Sequence, residues 1–172
     1  GIPADVVRDT IRNVASDGRE PLRTLDVEFY PIALSQARKL GLPDDWIGKL
    51  EAAEPGRRQA LAVARLTAGT PAAKLLQTGD LLLALDGQPA VSFRAVEKVS
   101  QRAELKLTLL RDGKVITLKV PTVTLSGQGT QRVLVWGGAL LQRPQHGAAA
   151  QRDIPEAGLL VGYSSYGSPA SR

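Results

Sequence analysis

Apolar residues recur along this chain with two periods, near 3.6 and near 2, and the switches between them divide it into elements. In IPADVVRDTIRNVASDG, Val7, Ile11 and Val14 share one helical face, Pro3 suits a first helical position and Gly18 a stop. REPLR then reads as a linker. LDVEF alternates, with Leu25, Val27 and Phe29 to one side and Asp26 and Glu28 to the other, which predicts a half-buried strand. ALSQARKLGL carries Leu34, Ala37 and Leu40 on a stripe with Gly41 as its cap, the pattern of a helix. PDDWIGKLEAAEPGRR is polar and broken by Pro and Gly, and is expected to be an extended loop with one helical turn. ALAVARL predicts a second strand. GTPAAKLLQTGD predicts a compact helix capped by Thr70, with Pro71 in its first turn and Gly79 at its end.

DLLLALDG reads as a buried strand closing in a tight turn at Asp86-Gly87, and SFRAVEKVSQR as a longer amphipathic helix capped by Ser92. In ELKLTLLRDGKVITLKV two alternating strands flank Asp112-Gly113, a pair suited to a two-residue turn in which both positions need positive φ. PTVTLSGQGTQ is a boundary by composition. RVLVW opens a new strand, after which few turn-bounded strands are visible. The closing GLLVGYSSYGSPASR then resembles ALAVARLTAGTPAAK. A shift of 98 carries Leu61 onto Leu159, Val63 onto Val161, Gly69 onto Gly167, Pro71 onto Pro169 and Ala72 onto Ala170.

Composition narrows the function classes. With 172 residues, 43% hydrophobic and 23% charged, the chain suits one domain, or one small domain plus part of another. Zero Cys excludes disulfides and thiolate metal sites, and a lone His argues against zinc or copper, so no cofactor is expected. There is no Met, so Gly1 is expected to be a processing site or an artificial boundary. No apolar run is long enough to span a bilayer and no signal peptide is visible. The net charge of +5 raises nucleic-acid binding as a class, but Lys and Arg are interleaved with Asp and Glu, as in FRAVEKVSQR. A solvated surface is the expectation, without nucleic acid as a partner. No GxSxG-like or GNSGG-like segment surrounds Ser164, Ser165 or Ser168, and His146 in RPQHGAAA reads as a surface histidine in a loop. No catalytic residue is expected.

The ordered series strand, helix, strand, GTPAAK helix, GDLLLALDG strand, SFRAVEKV helix and LKLTLLRDGKVITLKV hairpin resembles a bacterial PDZ domain, specifically those following the protease domain in HtrA/Deg-type serine proteases. The resemblance implies a mainly β fold with short helices, α+β in class: a PDZ-like, partly open β-barrel or sandwich capped by two helices. It sets residues 1–21 as a leading helix and linker similar to the tail of a protease domain, and 22–122 as the PDZ-like domain. Residues 123–132 become a linker, and 133–172 the first half of a second such unit, cut at its helix. Such a half cannot bury its own core, so it is expected to pack on the first unit or on another chain. The other reading of the 98-residue repeat is coincidence in an Ala/Gly/Leu-rich tail.

The resemblance also implies a groove that takes an extended peptide or a protein C-terminus as an added strand. Carried onto this chain, the carboxylate loop falls on Thr24, Leu25, Asp26 and Val27, the pairing strand on Val27, Glu28 and Phe29, and the helix wall on Ser92, Val96 and Ser100. Phe93 is expected behind that wall, toward the core. Asp26 departs from the family's Gly, and its side chain threatens close approach; Arg23 is expected to offset its charge. The groove then binds an internal or cationic-ended segment, or nothing. The implied task is a non-catalytic one: substrate capture, regulation of an upstream protease domain, or assembly of a homo-oligomer in protein quality control, in the periplasm or cell envelope. Rival readings are a structural module with a vestigial groove and the PDZ unit of another envelope protease or secretion component.

Overall fold

A computed structural model describes residues 4–15, 21–125, 127, 129–152, 154 and 157–171. Gly18 and Pro3, read above as the bounds of the first helix, lie outside them. In chain order the elements are α1 (Ala4–Ala15), β1 (Arg23–Thr24), β2 (Val27–Ala33), α2 (Leu34–Lys39), α3 (Asp44–Ala53), β3 (Gln59–Leu66), α4 (Pro71–Leu75), β4 (Leu81–Leu85) and β5 (Gln88–Pro89). There follow α5 (Phe93–Val99), β6 (Glu104–Arg111), β7 (Lys114–Pro121), β8 (Val123–Thr124), β9 (Val133–Trp136), β10 (Ala139–Gln142), α6 (His146–Arg152), β11 (Leu160–Ser164) and a 3-10 turn at Pro169–Ser171. The chain is mainly β with short helices, the α+β class expected, and its sheets do not close.

The main sheet runs β2-β3-β4-β6-β7, with β5 paired to β4. Central β4 decides its shape. All five residues of LLLAL are buried, and the four leucines divide between two apolar clusters on opposite faces. Leu82 and Leu85 join Leu61, Leu107 and Leu109 on the face covered by α5. Leu81 and Leu83 join Ile32, Leu50 and Leu110 on the face covered by α2 and α3. Each fully buried leucine contributes about 2 kcal/mol of transfer free energy. A strand with both faces covered therefore reads as a continuous apolar run rather than an alternating one.

Two turns form as their residues predict. Asp86-Gly87 and Asp112-Gly113 have φ of 49° and 83°, and 50° and 72°, so both central positions are left-handed. Thr70 caps α4 by accepting the Ala73 N–H at 3.3 Å, but the helix ends at Leu75, and Gly79 serves the following turn with φ 92°. The segment expected to be an extended loop is instead the ten-residue helix α3. Asp44 and Asp45 in its first turn complement the helix dipole, while Ile47 and Leu50, three apart, bury one face. Two apolar anchors on a polar helix are too few to show as a stripe in the sequence, yet enough to dock it.

The strands expected to be scarce after Trp136 are present. β9 and β10 form a hairpin with Trp136 opposite Ala139 across Gly137-Gly138, and β11 pairs with β10. A Cβ on Gly138 would lie 2.2 Å from the Ser168 Cβ, so no other residue lets the 3-10 turn approach the hairpin. The 98-residue repeat is a repeat of conformation. Gly69 and Gly167 share left-handed φ values of 81° and 77°, each after a strand and each before a Thr-Pro or Ser-Pro helical turn. β8 lies just past residue 122 and pairs back on β1, with Arg23 opposite Thr124.

One buried ion pair pins the start of β4 to the end of β6. Asp80, whose side chain is 1% exposed, accepts from Arg111 Nε at 2.7 Å and Nη2 at 2.6 Å and from the Gln77 N–H at 2.9 Å. The hydrogen bond to Asp80 raises the Arg111 pKa, against a smaller opposing effect of burial. Removing one partner strands the other charge. Arg111→Met should lower the unfolding free energy by about 3 kcal/mol in urea titration, and Asp80→Leu/Arg111→Met should recover part of the loss.

Candidate functional site

β2 is the outermost strand of the main sheet, paired in the ladder with β3 from Val27↔Leu66 to Ala33↔Gln59. Val27 and Phe29 pack on the core cluster beneath α5, while Glu28 and Tyr30 are exposed. Beside this strand a groove of about 1110 Å³ runs against α5. Of the residues expected to form a binding site, Thr24, Leu25, Val27, Glu28, Phe29, Val96 and Ser100 line it. Leu25 and Val96 are core residues that form its floor.

Several assignments change. Ser92 holds the N-cap position of α5 with extended φ of −136° but makes no side-chain cap, and it lies outside the groove lining. The Ser100 hydroxyl is buried and donates to the Val96 carbonyl at 2.7 Å, so it is committed to the helix. Phe93 is half-exposed and lines the groove, where the sequence placed it behind the wall. The core side of α5 is filled by Val96 and Val99, which turns Phe93 outward. Arg23 does not offset Asp26. Its guanidinium binds Thr122 Oγ1 at 2.7 Å, the Thr122 carbonyl at 3.1 Å and Thr124 Oγ1 at 2.9 Å.

The loop entering β2 is held by side chains from distant segments. Gln101, just past α5, accepts the Arg23 N–H at 3.1 Å and donates to the Arg23 carbonyl at 3.0 Å. Asp26 takes the conformation that its place in the loop demands, with φ of 61°. Asp is one of few non-Gly residues that tolerate it. Its N–H donates to Thr24 Oγ1 at 3.1 Å, and its carbonyl accepts the Thr67 N–H at 3.3 Å. The side chain turns away from the groove. Oδ1 lies 2.7 Å from His146 Nε2, and Oδ2 is buried without a hydrogen-bond partner among the described residues. Arg65, 3.6 Å from Glu28, donates to the Gln151 carbonyl at 2.5 Å. These contacts dock α6 behind the loop across a small cavity of about 190 Å³.

His146 is therefore not a loop residue. It opens α6, and it was invisible as a partner because 120 residues separate it from Asp26. Among the described residues no group of three or more His, Asp or Glu converges on a metal position.

No protein-family profile matches the chain. It is 35% identical over 195 residues to Protease Do-like 7 of Arabidopsis thaliana, covering all of this chain and 18% of that protein. Pro-apoptotic serine protease nma111 of Aspergillus fumigatus is 36% identical over 153 residues, covering 87% of this chain and 15% of that protein. PDZ domain-containing protein C23G3.12c of Schizosaccharomyces pombe is 34% identical over 172 residues, all of this chain and 17% of that one. The fold is that of the HtrA-type protease AlgW solved with a decapeptide, at TM-score 0.51 and 23% identity over 72% of this chain and 35% of that one. The chain is PDZ-like and related to a segment of Do-like serine proteases. It spans less than a fifth of the length of those curated relatives.

In this PDZ-like chain, the second half thus rests on the first through the loop at the end of the groove. The Asp26–His146 contact is 6% and 30% exposed on its two sides, so water screens it poorly. A hydrogen bond to a carboxylate of this kind contributes about 1.5 kcal/mol. His146→Ala should speed amide exchange at Ala149, Ala150 and Gln151 roughly tenfold, read by hydrogen-exchange mass spectrometry, with β4 amides unchanged.

Proposed function

We propose that this chain is a non-catalytic regulatory region of an HtrA-like serine protease and that it binds extended polypeptide by strand addition beside β2. The observation that carries this reading is the outer position of β2, with its second edge facing a deep groove floored by Leu25 and Val96. An added strand gains main-chain hydrogen bonds from β2, while alternate side chains enter the apolar floor. Relatives named as serine proteases and a structural neighbour solved with a decapeptide support the same reading. In the parent protein the groove would capture substrate segments or relay their binding to a protease domain.

The site residues of this proposal are Leu25, Val27 and Val96 for the pocket, Val27, Glu28 and Phe29 for pairing, and Phe93 as an added wall. Ser92 has no direct part. In a titration with decapeptides of apolar C-terminal half, amide shifts should move at Val27, Glu28, Phe29 and Val96. Peptides that perturb none of these at millimolar concentration would rule out the recognition role.

A structural role is the second reading, and the exposed sheet of the second half favours it. Val135 and Trp136 are each 71% exposed and Tyr163 63%, an apolar surface of the sort that marks contact sites. On that reading the chain self-associates through β9 and β11. Sedimentation over a hundredfold dilution should then show a mass that falls toward the monomer, and Trp136→Ser should abolish the heavier species.

A further inference from the structure

We infer that the groove beside β2 receives the β9–β10 hairpin of a second copy of this chain, with β9 as the added strand. This rests on the strand-addition reading above and names its guest. The pairing of strands repeats between the two halves. β2 meets β3 through Val27↔Leu66 and Glu28↔Arg65, then a bulge, then Phe29↔Val63 and Tyr30↔Ala62. β10 meets β11 through Ala139↔Ser164 and Leu140↔Tyr163, then a bulge, then Leu141↔Val161 and Gln142↔Leu160. Every β3 residue named here lies 98 positions before its β11 equivalent, so β10 is the counterpart of β2, and Gly138 that of Asp26. Both of those residues are left-handed, with φ of 85° and 61°. Each carbonyl accepts the equivalent N–H, from Ser165 at 2.8 Å and from Thr67 at 3.3 Å.

The counterparts differ at their outer edges. β2 ends its sheet, whereas β10 carries β9, antiparallel, from Trp136↔Ala139 to Val133↔Gln142. The sequence VLVW therefore already lies along an edge built as β2 is, over the counterparts of Val27–Tyr30. Its length matches too. Pro31 has no N–H and ends outward pairing on β2 at Tyr30, and β9 is four residues long. β9 is itself an outer strand, with neither charge nor Pro to blunt its open edge. Leu134 and Trp136, two apart on one face, are 55% and 71% exposed. Inside the groove they meet Leu25, Val96 and Phe93 instead of water. The charged residues of the groove nearly balance, Arg23, Arg94 and Lys98 against Glu28 and Glu97, so its apolar floor selects the guest. A guest antiparallel to β2 brings its C-terminal end to the loop before Val27, where β9 ends in the tight Gly137-Gly138 turn that carries the chain back out. The donor is another copy, because α6 holds this chain's own second half behind the loop. Among the described residues none of that half lines the groove.

The test follows the full 172-residue chain by amide NMR and sedimentation up to millimolar concentration, since one added strand makes a small and weak interface. With rising concentration the wild-type mass should increase, and shifts should move at Val27, Glu28, Phe29 and Val96 together with Leu134 and Trp136. Leu134→Lys/Trp136→Lys, at exposed positions, should weaken this association roughly tenfold and leave binding of apolar decapeptides at β2 unchanged. A decapeptide of residues 130–139 should bind at β2 and lower the mass of the wild type. A wild-type chain that stays monomeric at millimolar concentration would overturn the inference, as would one whose shifts fall on β11 and spare β2. In either case apolar decapeptides that still bind at β2 leave strand addition standing. If neither decapeptides nor concentration move the β2 amides, strand addition falls and the inference with it.

Discussion

The burial of β4 on both faces is the constraint from which the rest of the architecture follows. A strand with five consecutive buried side chains cannot stand at a sheet edge or face water on one side. It forces the sheet to carry two cores, one beneath α5 and one beneath α2 and α3. The Asp80–Arg111 pair fixes where this strand starts relative to β6, because a buried charge separated from its partner carries a large desolvation cost. With β4 central and β3 beside it, β2 is left on the outside, and α5 is left spanning the core next to it. The groove is a consequence of that order.

A second dependence runs through the loop entering β2. Its geometry requires a left-handed residue, and Asp26 is one of the few non-glycine residues that adopt it. Its side chain is directed away from the groove and onto His146. The cost of an unusual residue at that position is thereby converted into a contact between the halves. The same loop is tied on its other flank to the end of α5 by Gln101. Groove wall, pairing strand and second half thus meet at four residues.

The stretch from β11 through Gly167 to the 3-10 turn repeats the strand, left-handed glycine and helical turn of β3, Gly69 and α4, yet differs in burial. β3 is covered on both sides, while β11, aligned with it at a shift of 98, is largely exposed. The difference is one of neighbours. β3 has β4 on its far side, whereas β11 is the outer strand of a three-stranded sheet. Leu159 and Val161 consequently face outward with areas that Leu61 and Val63 bury.

Much of the architecture was legible in the residues. The all-apolar run of β4, the Asp-Gly turns, the Thr70-Pro71 helix start and the alternation of β2 each follow from local stereochemistry or periodicity, whereas the α+β class and the expected place of the groove came from the resemblance of their order to PDZ domains. α3 was not legible, because two buried anchors on a polar helix leave no stripe. Neither was the outward turn of Phe93, since a seven-residue helix permits several rotations and packing of Val96 and Val99 selects one. Arg23 was assigned to Asp26 by proximity in sequence, but Thr122 and Thr124 present hydroxyl acceptors to its guanidinium where β1 meets β8. The pairing of Asp26 with His146 was decided by tertiary structure alone. By itself the sequence determined which segments are strands, turns and helices, since those depend on residues a few positions apart. The tertiary structure decided which charges meet, because partners 120 residues apart are brought together only when the whole chain has folded.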